Sequence, residues 1–506
     1  MLAAKNAAGK WTSILIMTVV GIFLTPFVLH RIGDAANGIY FLIISLTGYY
    51  GLLELGIRSS IIKYVAEADA TQDDEHLSRV VNTTLVTYAA IAIVILIMTA
   101  VGALYVSVLF HISPSFFKTA QWLFVIAGTG LALSLPLGVF SGVLEGMQKF
   151  YYATPIEITG TLLRAGLVVF YLERGYGVIA VVLITVAINA VGYNVGCFFV
   201  ATRVTRIRWG LAYVTRETFG EIIRYGLSTS SVTLSSILRG GWQNVLIGIF
   251  LSPSAITFFS IASKLAGYLS RLVQNLATTF MPLASYMDAA GETGKLRRLF
   301  IEGNRVCAFI SLPFSALMII FGKPIIAFWV GPEYVAHSYV VLVITVIPAA
   351  LWFSQATSTR ILYGMSQQQW LAKVFLVQGA AGLALAVLLI HSFGIAGVAM
   401  GTAVPSAILS LFVLAPHLCR VLKAPLMSSL SETYIPPLAL SVPLVALSIV
   451  LQRFWPARSL IALLLELGCS GLVYGIGLLW LFVTKEPIGI QMWGRVMQSL
   501  PKPFTR

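Results

Sequence analysis

Apolar residues in this chain come in long blocks rather than in the alternating or one-sided patterns of soluble proteins. Each block is roughly 20 residues long, which is enough for a helix to cross about 30 Å of hydrocarbon. The pattern predicts about fourteen such helices and an all-α polytopic membrane protein. The predicted spans are 11–32, 37–57, 81–110, 120–147, 151–172, 177–201, 225–251, 255–285, 301–330, 336–363, 369–391, 395–419, 433–454 and 458–484.

The two halves of the chain resemble each other at a nearly constant offset of 217 or 218 residues. The matching pairs are VLEGMQKF at 143–150 with ILYGMSQQ at 361–368, GYGVIAVVL at 175–183 with SFGIAGVAM at 392–400, and GIYF at 38–41 with AITF at 255–258. The offset covers about six predicted spans, so both copies begin on the same side of the membrane. This predicts parallel repeats related by an axis along the membrane normal, with substrate handled at their interface.

The repeat divides the chain into four predicted regions. Residues 1–201 form an N-terminal six-helix lobe, and residues 225–420 form a C-terminal one. Residues 202–224 link the lobes on the cytoplasmic side, with FGEIIRYG as a candidate interfacial helix. Residues 421–506 hold two further transmembrane helices and a cytoplasmic tail.

Composition and charge agree with a membrane protein. Of 506 residues, 58% are hydrophobic and only 10% are charged, whereas about a quarter are charged in soluble domains. The net charge of +14 is concentrated in alternate loops, which marks those loops and both termini as cytoplasmic. No base-stacking motif accompanies these cations, so we expect no nucleic acid partner.

The chain contains no sequence motif for catalysis or for a cofactor. It has no nucleotide-binding glycine loop, no HExxH and no nucleophile elbow. Cys197, Cys307, Cys419 and Cys469 have no CxxC spacing, and we expect them to pack in the core. We therefore expect no catalytic residue, no metal and no cofactor.

Two cations interrupt an apolar block that is expected to form a membrane helix. In SKLAGYLSRLVQN, at 263–275, Lys264 and Arg271 differ by only about 20° around a helix. Tyr268 and Asn275 belong to the same polar stripe. Ionisable groups at membrane depth are costly and usually face a bundle interior or a wet cavity. The stripe therefore predicts a polar cavity.

The first half of the chain has polar residues at matching positions. Subtracting 217 residues from this stripe gives Thr47, Glu54 and Arg58, which share one face of the second span. Further polar or aromatic residues within predicted spans are Glu157, Arg164, Arg239, Trp242 and Gln243.

Simpler interpretations exist for several of these residues. Arg58 lies near a span end and is equally suited to reaching lipid headgroups. Glu157 and Arg164 are seven residues apart on one helix and could form a structural pair. Tyr268 and Trp242 suit packing as well as sugar contacts. In contrast, Arg239, Lys264 and Arg271 have few acids nearby in sequence, which favours binding of an anion.

The region TPFVLHRIGDAANGIYFLIISLTGYYGLLELGIRSSIIKYVAEA, at 25–68, resembles the polysaccharide flippases of the MATE-like multidrug/oligosaccharidyl-lipid/polysaccharide superfamily. The resemblance rests on a short IGD…GIY turn and a helix end LELGIRSSIIKY, and it extends over nearly the whole chain. It implies two six-helix lobes in a V shape around a cationic cavity, plus two helices as in lipid II and O-antigen flippases. It also implies transfer of undecaprenyl-pyrophosphate-linked oligosaccharide across the inner membrane by alternating access.

On this resemblance we expect the diphosphate and the glycan to bind the polar residues above. The candidate diphosphate ligands are Arg239, Lys264, Arg271, Arg58 and Arg164. The candidate residues of the polar cavity are Thr47, Glu54, Glu157, Trp242, Gln243, Tyr268 and Asn275. The expected partners are the lipid-linked oligosaccharide, membrane lipids and a polysaccharide polymerase, with the chain itself a monomer.

Four other functions remain open at this point. A lipid II flippase has the same architecture and the same diphosphate. A MATE-type drug exporter is expected to hold a membrane-embedded carboxylate cluster rather than cations. A membrane glycosyltransferase is expected to need a large outside loop, and a scaffold without transport activity leaves the polar stripe unexplained.

Overall fold

The computed structural model describes residues 2–110 and 112–484, apart from the side chains of residues 2–8, 10, 11, 231–233, 236 and 482–484. The predicted tail, residues 485–506, lies outside this range. Every regular element in the described part is helical, which confirms the predicted all-α class. Its α-helices are α1 (Leu2–Gly48), α2 (Ile57–Thr71), α3 (Asp74–Leu109), α4 (Phe117–Gly146), α5 (Phe150–Glu173), α6 (Val178–Thr185), α7 (Tyr193–Val204), α8 (Arg216–Gly240), α9 (Gln243–Phe250), α10 (Pro253–Thr278), α11 (Phe280–Ala289), α12 (Thr293–Ile320), α13 (Gly322–Trp329), α14 (Val335–Ser354), α15 (Ala356–Gly364), α16 (Gln368–Phe393), α17 (Ile395–Ile408), α18 (Ala415–Val421), α19 (Leu426–Phe454) and α20 (Leu460–Thr484).

Short helices of other types join some of these elements. Val186–Gly192 and Leu409–Leu414 are π-helical and connect α6 to α7 and α17 to α18. Tyr49–Glu54 is a 3₁₀-helix that leads from α1 toward α2.

Helix α1 contains the first predicted span, 11–32, and the start of the second, 37–57, with a break between them. Gly33 has φ 78° and ψ 167°, a backbone conformation that only glycine adopts at little cost. The second span ends where Leu55 and Gly56 both take left-handed conformations before α2 begins. The predicted boundaries near residues 33 and 57 therefore coincide with real changes of backbone direction.

Eleven helices in the described part are long and apolar enough to cross a membrane. The count is lower than fourteen for two reasons. Residues Thr12–Glu54 count once although they hold two predicted spans. The predicted spans 225–251 and 255–285 correspond to α8–α9 and α10–α11; α8 and α10 are too polar to be among the eleven, and α9 and α11 are too short. The chain is a multi-pass membrane protein, and the exact number of fourteen stays a prediction.

The chain forms two compact units, which are described separately. Unit 1 consists of Met1–Tyr268, Ala336–Ile344 and Gln367–Pro405, and unit 2 of Leu269–Val335, Thr345–Ser366 and Ser406–Arg506. The predicted division into two lobes, a linker and two extra helices stays a prediction.

Unit 1 has an apolar core where α2, α3, α4 and α7 meet. Ile57, Val80, Val143 and Cys197 are all fully buried there, together with Ile222 of α8. In unit 2, α12 is packed against α15 and α19.

Side-chain hydrogen bonds stabilise the contacts of α12 with its neighbours. The Nδ2 of Asn304 donates to the Ser358 hydroxyl at 2.7 Å, and the Tyr474 hydroxyl donates to the carbonyl of Phe309 at 2.7 Å. The expectation that all cysteines pack in the core is wrong for Cys469, which is exposed on α20, and confirmed for the other three.

Candidate functional site

Lys264 is held by two neutral groups of α1 within unit 1. Its Nζ lies 3.4 Å from the Oγ1 of Thr25 and 4.5 Å from the ring centroid of Phe41. A hydroxyl oxygen and an aromatic face both attract an ammonium group without carrying a full negative charge. The geometry therefore orients the cation, and neither of these two contacts neutralises it.

Tyr268, one turn further along α10, also lies against α1. A Cβ placed on Gly21 would be 3.6 Å from the Tyr268 hydroxyl, so the ring reaches the backbone of α1 at this glycine. Lys264 and Tyr268 thus follow the predicted stripe along one contact between α10 and α1.

Helix α5 presents Glu157 and Arg164, which do not pair with each other in the described structure. The Ser13 hydroxyl of α1 donates to the Oε2 of Glu157 at 2.6 Å. The Nε of Arg164 is buried and has no hydrogen-bond partner among the described residues. The geometry therefore does not support the simpler interpretation that Glu157 and Arg164 form a structural pair. Helix α1 contacts both α5, through Ser13, and α10, through Thr25.

Arg58 and Glu54 have partners that the repeat did not suggest. The Nη2 of Arg58 lies 2.9 Å from the Oε2 of Glu145, and its Nη1 donates to the Ser141 hydroxyl at 3.2 Å. The Tyr88 hydroxyl donates to Glu54 at 3.0 Å. Arg58 is therefore ion-paired to α4 rather than only extended toward headgroups.

Thr47 is buried in unit 1 and is bonded within its own helix. Its hydroxyl donates to the carbonyl of Ile43 at 2.9 Å. A role for Thr47 in the cavity stays a prediction.

Arg239 of α8 and Gln243 of α9 contact neighbouring helices of unit 1, and Trp242, between α8 and α9, is bonded back to α8. The guanidinium carbon of Arg239 lies 5.0 Å from the ring centroid of Phe375. Gln243 donates from Nε2 to the Thr402 hydroxyl at 3.1 Å. Trp242 is buried, and its Nε1 donates to the Leu238 carbonyl at 2.8 Å, which favours the packing interpretation for this ring.

In unit 2 the polar stripe continues beside an arginine that sequence analysis missed. Arg271 is exposed, and Asn275 donates from Nδ2 to the Arg271 carbonyl at 2.7 Å. The Nη2 of Arg360 donates to the Oε1 of Gln274 at 2.8 Å, while the Nε of Arg360 is buried without a partner among the described residues. The sequence signal that could have identified Arg360 is its position as a single cation inside the predicted span 336–363.

The boundary between the units falls inside α10, after Tyr268. Unit 1 therefore contains Lys264 and most of the predicted residues, and unit 2 contains Arg271 and Asn275. Within unit 1, Arg239 and Lys264 are cationic groups of the kind that bind anions. The described residues contain no cluster of acids, histidines and cysteines that would hold a metal ion.

Comparison with known proteins gives relatives with low sequence identity. A probable low-salt glycan biosynthesis flippase of Haloferax volcanii is 25% identical over 41% of this chain, but the match covers only 45% of that protein. The probable flippase AglR of Haloferax volcanii is 21% identical over 94% of this chain and 95% of its own length.

Two solved structures share the fold. The lipid II flippase MurJ, in an inward closed conformation, superposes with a TM-score of 0.68 over 94% of this chain and 98% of its own, at 13% identity. An inward-facing multidrug resistance transporter of the MATE family, in the MOP superfamily, gives a TM-score of 0.66 over 81% of this chain and 95% of its own, at 16% identity. At these identities the likeness concerns the fold.

The family model described as "Polysaccharide biosynthesis protein" matches residues 35–339, which is more than half of the chain. The resemblance inferred from residues 25–68 is thereby confirmed, and the chain belongs to the polysaccharide biosynthesis protein family.

Proposed function

We propose that this protein is a flippase that translocates an undecaprenyl-pyrophosphate-linked oligosaccharide across the inner membrane, for O-antigen, capsule or exopolysaccharide synthesis. The observation that carries the proposal is family membership, together with a probable flippase that aligns over 94% of the chain. A putative O-antigen transporter of Shigella flexneri, 19% identical over 68% of the chain and 80% of its own length, supports the same class of substrate.

In this proposal the diphosphate binds Arg239, Lys264 and Arg271. Arginine can contact phosphate through two parallel hydrogen bonds, and lysine acts as a point charge. The position of Lys264 beside the Thr25 hydroxyl and the Phe41 ring supports this role, because both contacts orient the ammonium group. Arg164 of α5 would be a further cationic ligand of the diphosphate. Arg58, which is ion-paired with Glu145, would be another.

The glycan would contact neutral polar groups such as Gln243 and Asn275. The prenyl tail would remain in the lipid. Alternating access of the two predicted lobes would then expose the site on the other side of the membrane, with both termini in the cytoplasm.

The test is neutralisation of the three cations. A triple variant with Arg239→Gln, Lys264→Gln and Arg271→Gln is expected to lower glycan export by at least about tenfold for each lost charge-assisted bond. Export is measured in a strain that depends on this protein, by the amount of lipid-linked glycan accumulating on the cytoplasmic side. The matched control combines Arg174→Gln, Arg453→Gln and Arg458→Gln, which removes three exposed cations and should preserve export. Undiminished export by the first variant, at normal membrane levels, would refute the proposed site.

A lipid II flippase is the second candidate, and the MurJ fold over 94% of the chain favours it. Complementation separates the two. Under our proposal, expression of this chain does not rescue a strain depleted of its lipid II flippase, whereas rescue would assign lipid II as a substrate.

A further inference from the structure

Helix α3 and the first half of α8 enclose a groove in unit 1 that is separate from the residues discussed so far. Its volume is about 490 Å³, and it is partly open to the outside. Its apolar lining includes Leu55, Val86, Ala90, Ile91, Phe219 and Ile223.

The groove is fixed in place because α3 holds the linker that precedes α8. Asn82 donates from Nδ2 to the Arg208 carbonyl at 2.8 Å and accepts from the Gly210 amide at 3.2 Å. The Ser78 hydroxyl accepts from the Arg208 amide at 2.9 Å. Asn82 and Ser78 are buried and one helical turn apart, so the linker backbone completes their hydrogen bonds.

The groove has a polar end and an apolar end. The Thr215 amide donates to the Thr83 hydroxyl at 3.4 Å, which sets the start of α8 beside this turn of α3. From there the groove follows both helices, and the stretch of α3 from Thr83 to Ile91 is about 12 Å long. Arg216 lines the groove beside Thr215, whereas Leu55 and Ile223 line its other end.

The surroundings place the polar end at the level of lipid headgroups. Helix α3 is one of the eleven candidate spans, and its exposed residues Val86, Ile93 and Ile97 are apolar, which suits contact with acyl chains. On the linker, Trp209 is 50% exposed and Leu211 is 80% exposed, as is typical of segments in the membrane interface. Arg206 and Arg208 add positive charge near Arg216 in the sequence. Clusters of this kind attract anionic lipid headgroups.

We propose that this groove binds one acyl chain of an anionic phospholipid, with the lipid phosphate at Arg216. The apolar lining matches the chain, and the charge of Arg216 matches the headgroup. A ligand that binds only the folded chain stabilises it. Since the groove joins α3 to α8, the bound lipid stabilises the contact between the first part of the chain and the helix that follows the linker.

The test uses the purified full-length chain in detergent, with phosphatidylglycerol and phosphatidylcholine of identical acyl chains as probes. Phosphatidylglycerol is expected to co-purify and to raise the melting temperature more than phosphatidylcholine does. Ala90→Trp, which fills the groove, is expected to lower bound phosphatidylglycerol by about tenfold. The matched control is Ala89→Trp, because Ala89 is the exposed neighbour of Ala90 on α3 but does not line the groove.

A second variant tests the headgroup without changing the apolar lining of the groove. Arg216→Gln is expected to lower the preference for phosphatidylglycerol about fivefold, since a single cation near the surface has an effect of that order. Equal stabilisation of the unmodified protein by both lipids would overturn the proposal, as would normal phosphatidylglycerol binding by Ala90→Trp. Displacement of phosphatidylglycerol by an equimolar polyprenyl phosphate would also overturn it and assign the groove to a prenyl chain.

Discussion

Two seams in unit 1, one joining α1 to α10 and the other joining α2 to α8, differ in their chemistry. We call them the Pro253 seam, formed by Asp34, Asn37 and Gly38 with Pro253 and Thr257, and the Gly226 seam, formed by Gly56, Ser60 and Lys63 with Ile222, Tyr225 and Gly226. Both rely on glycine for close approach of the backbones. They differ in how deeply their polar groups are buried.

The polar groups that bond across the Pro253 seam are buried and uncharged. The Thr257 hydroxyl donates to the Asp34 carbonyl at 2.7 Å and accepts from the Nδ2 of Asn37 at 3.4 Å. Thr257 is fully buried, and Asn37 is 5% exposed. A Cβ on Gly38 would overlap the carbonyl of Pro253, so the two backbones are in direct contact.

The Gly226 seam combines a buried bond with an exposed cation. The Ser60 hydroxyl donates to the Ile222 carbonyl at 2.8 Å. The Nζ of Lys63 lies 4.5 Å from the ring centroid of Tyr64 and 4.6 Å from that of Tyr225. Lys63 itself is exposed.

The difference in burial indicates which seam is harder to separate. A buried donor or acceptor that loses its partner costs more than an exposed one, because water replaces the lost bond only at the surface. The Pro253 seam should therefore be the harder of the two to open. Under the proposed alternating access, where the predicted lobes part in turn, this difference would favour opening at the Gly226 seam.

The largest expected effect is that of Gly38→Ala. The added methyl group would overlap the Pro253 carbonyl and force α1 away from α10. Overpacking of this kind costs about 1–3 kcal/mol and here should lie at the upper end. Thermal unfolding of the purified protein measures the loss. Gly48→Ala is the control in the same helix, because a Cβ there meets nothing within 4 Å; equal melting temperatures for the two variants would contradict the close contact.

Gly226→Ala, in the Gly226 seam, should destabilise the protein less than Gly38→Ala does. Its Cβ would lie 2.6 Å from the carbonyl of Leu55, which precedes α2 in a left-handed conformation. We expect a loss near the lower end of about 1–3 kcal/mol, because this junction can shift. Gly220→Ala on the same helix has open space and should stabilise the protein by about 0.5–1 kcal/mol. A Gly226→Ala variant less stable than Gly38→Ala would reverse the proposed order.

Sequence patterns anticipated part of this arrangement. The segments GIYF and AITF, matched at an offset of 217 residues, lie at the Pro253 seam, with Gly38 beside Pro253 and Asn37 beside Thr257. The helical class also followed from the apolar blocks, because a span needs a long run of apolar residues. The polar helices α8 and α10 show the limit of that rule, since hydropathy alone does not count them.

The partners of the polar residues were not predictable in the same way. Glu145 is 87 residues from Arg58, and Ser13 is 144 residues from Glu157. Periodicity tells which residues share a face of one helix, but it does not tell which other helix covers that face. For the same reason Arg360 was missed, because its contact with Gln274 depends on the packing of α15.

Thr257→Val tests the buried polar bonds of the Pro253 seam while keeping the shape of the side chain. The change removes the bond to the Asp34 carbonyl and leaves the Asn37 amide without its acceptor. Leaving a buried group unsatisfied costs about 1–3 kcal/mol. Thr71→Val is the control, since the exposed Thr71 hydroxyl is bonded only to carbonyls of its own helix. An unchanged melting temperature for Thr257→Val would show that glycine packing alone holds this seam.

Lys63→Met should have the smallest effect, because it removes an exposed cation from between two tyrosine rings. Cation–aromatic contacts at exposed sites are worth about 0.5–1 kcal/mol, and methionine keeps most of the apolar contact. Lys63→Arg retains the charge and should unfold at the same temperature as the unmodified protein. A loss for Lys63→Met larger than that for Thr257→Val would mean that the exposed contact, rather than the buried one, dominates. The Gly226 seam would then be the stronger of the two, and opening under alternating access would be expected at the Pro253 seam instead.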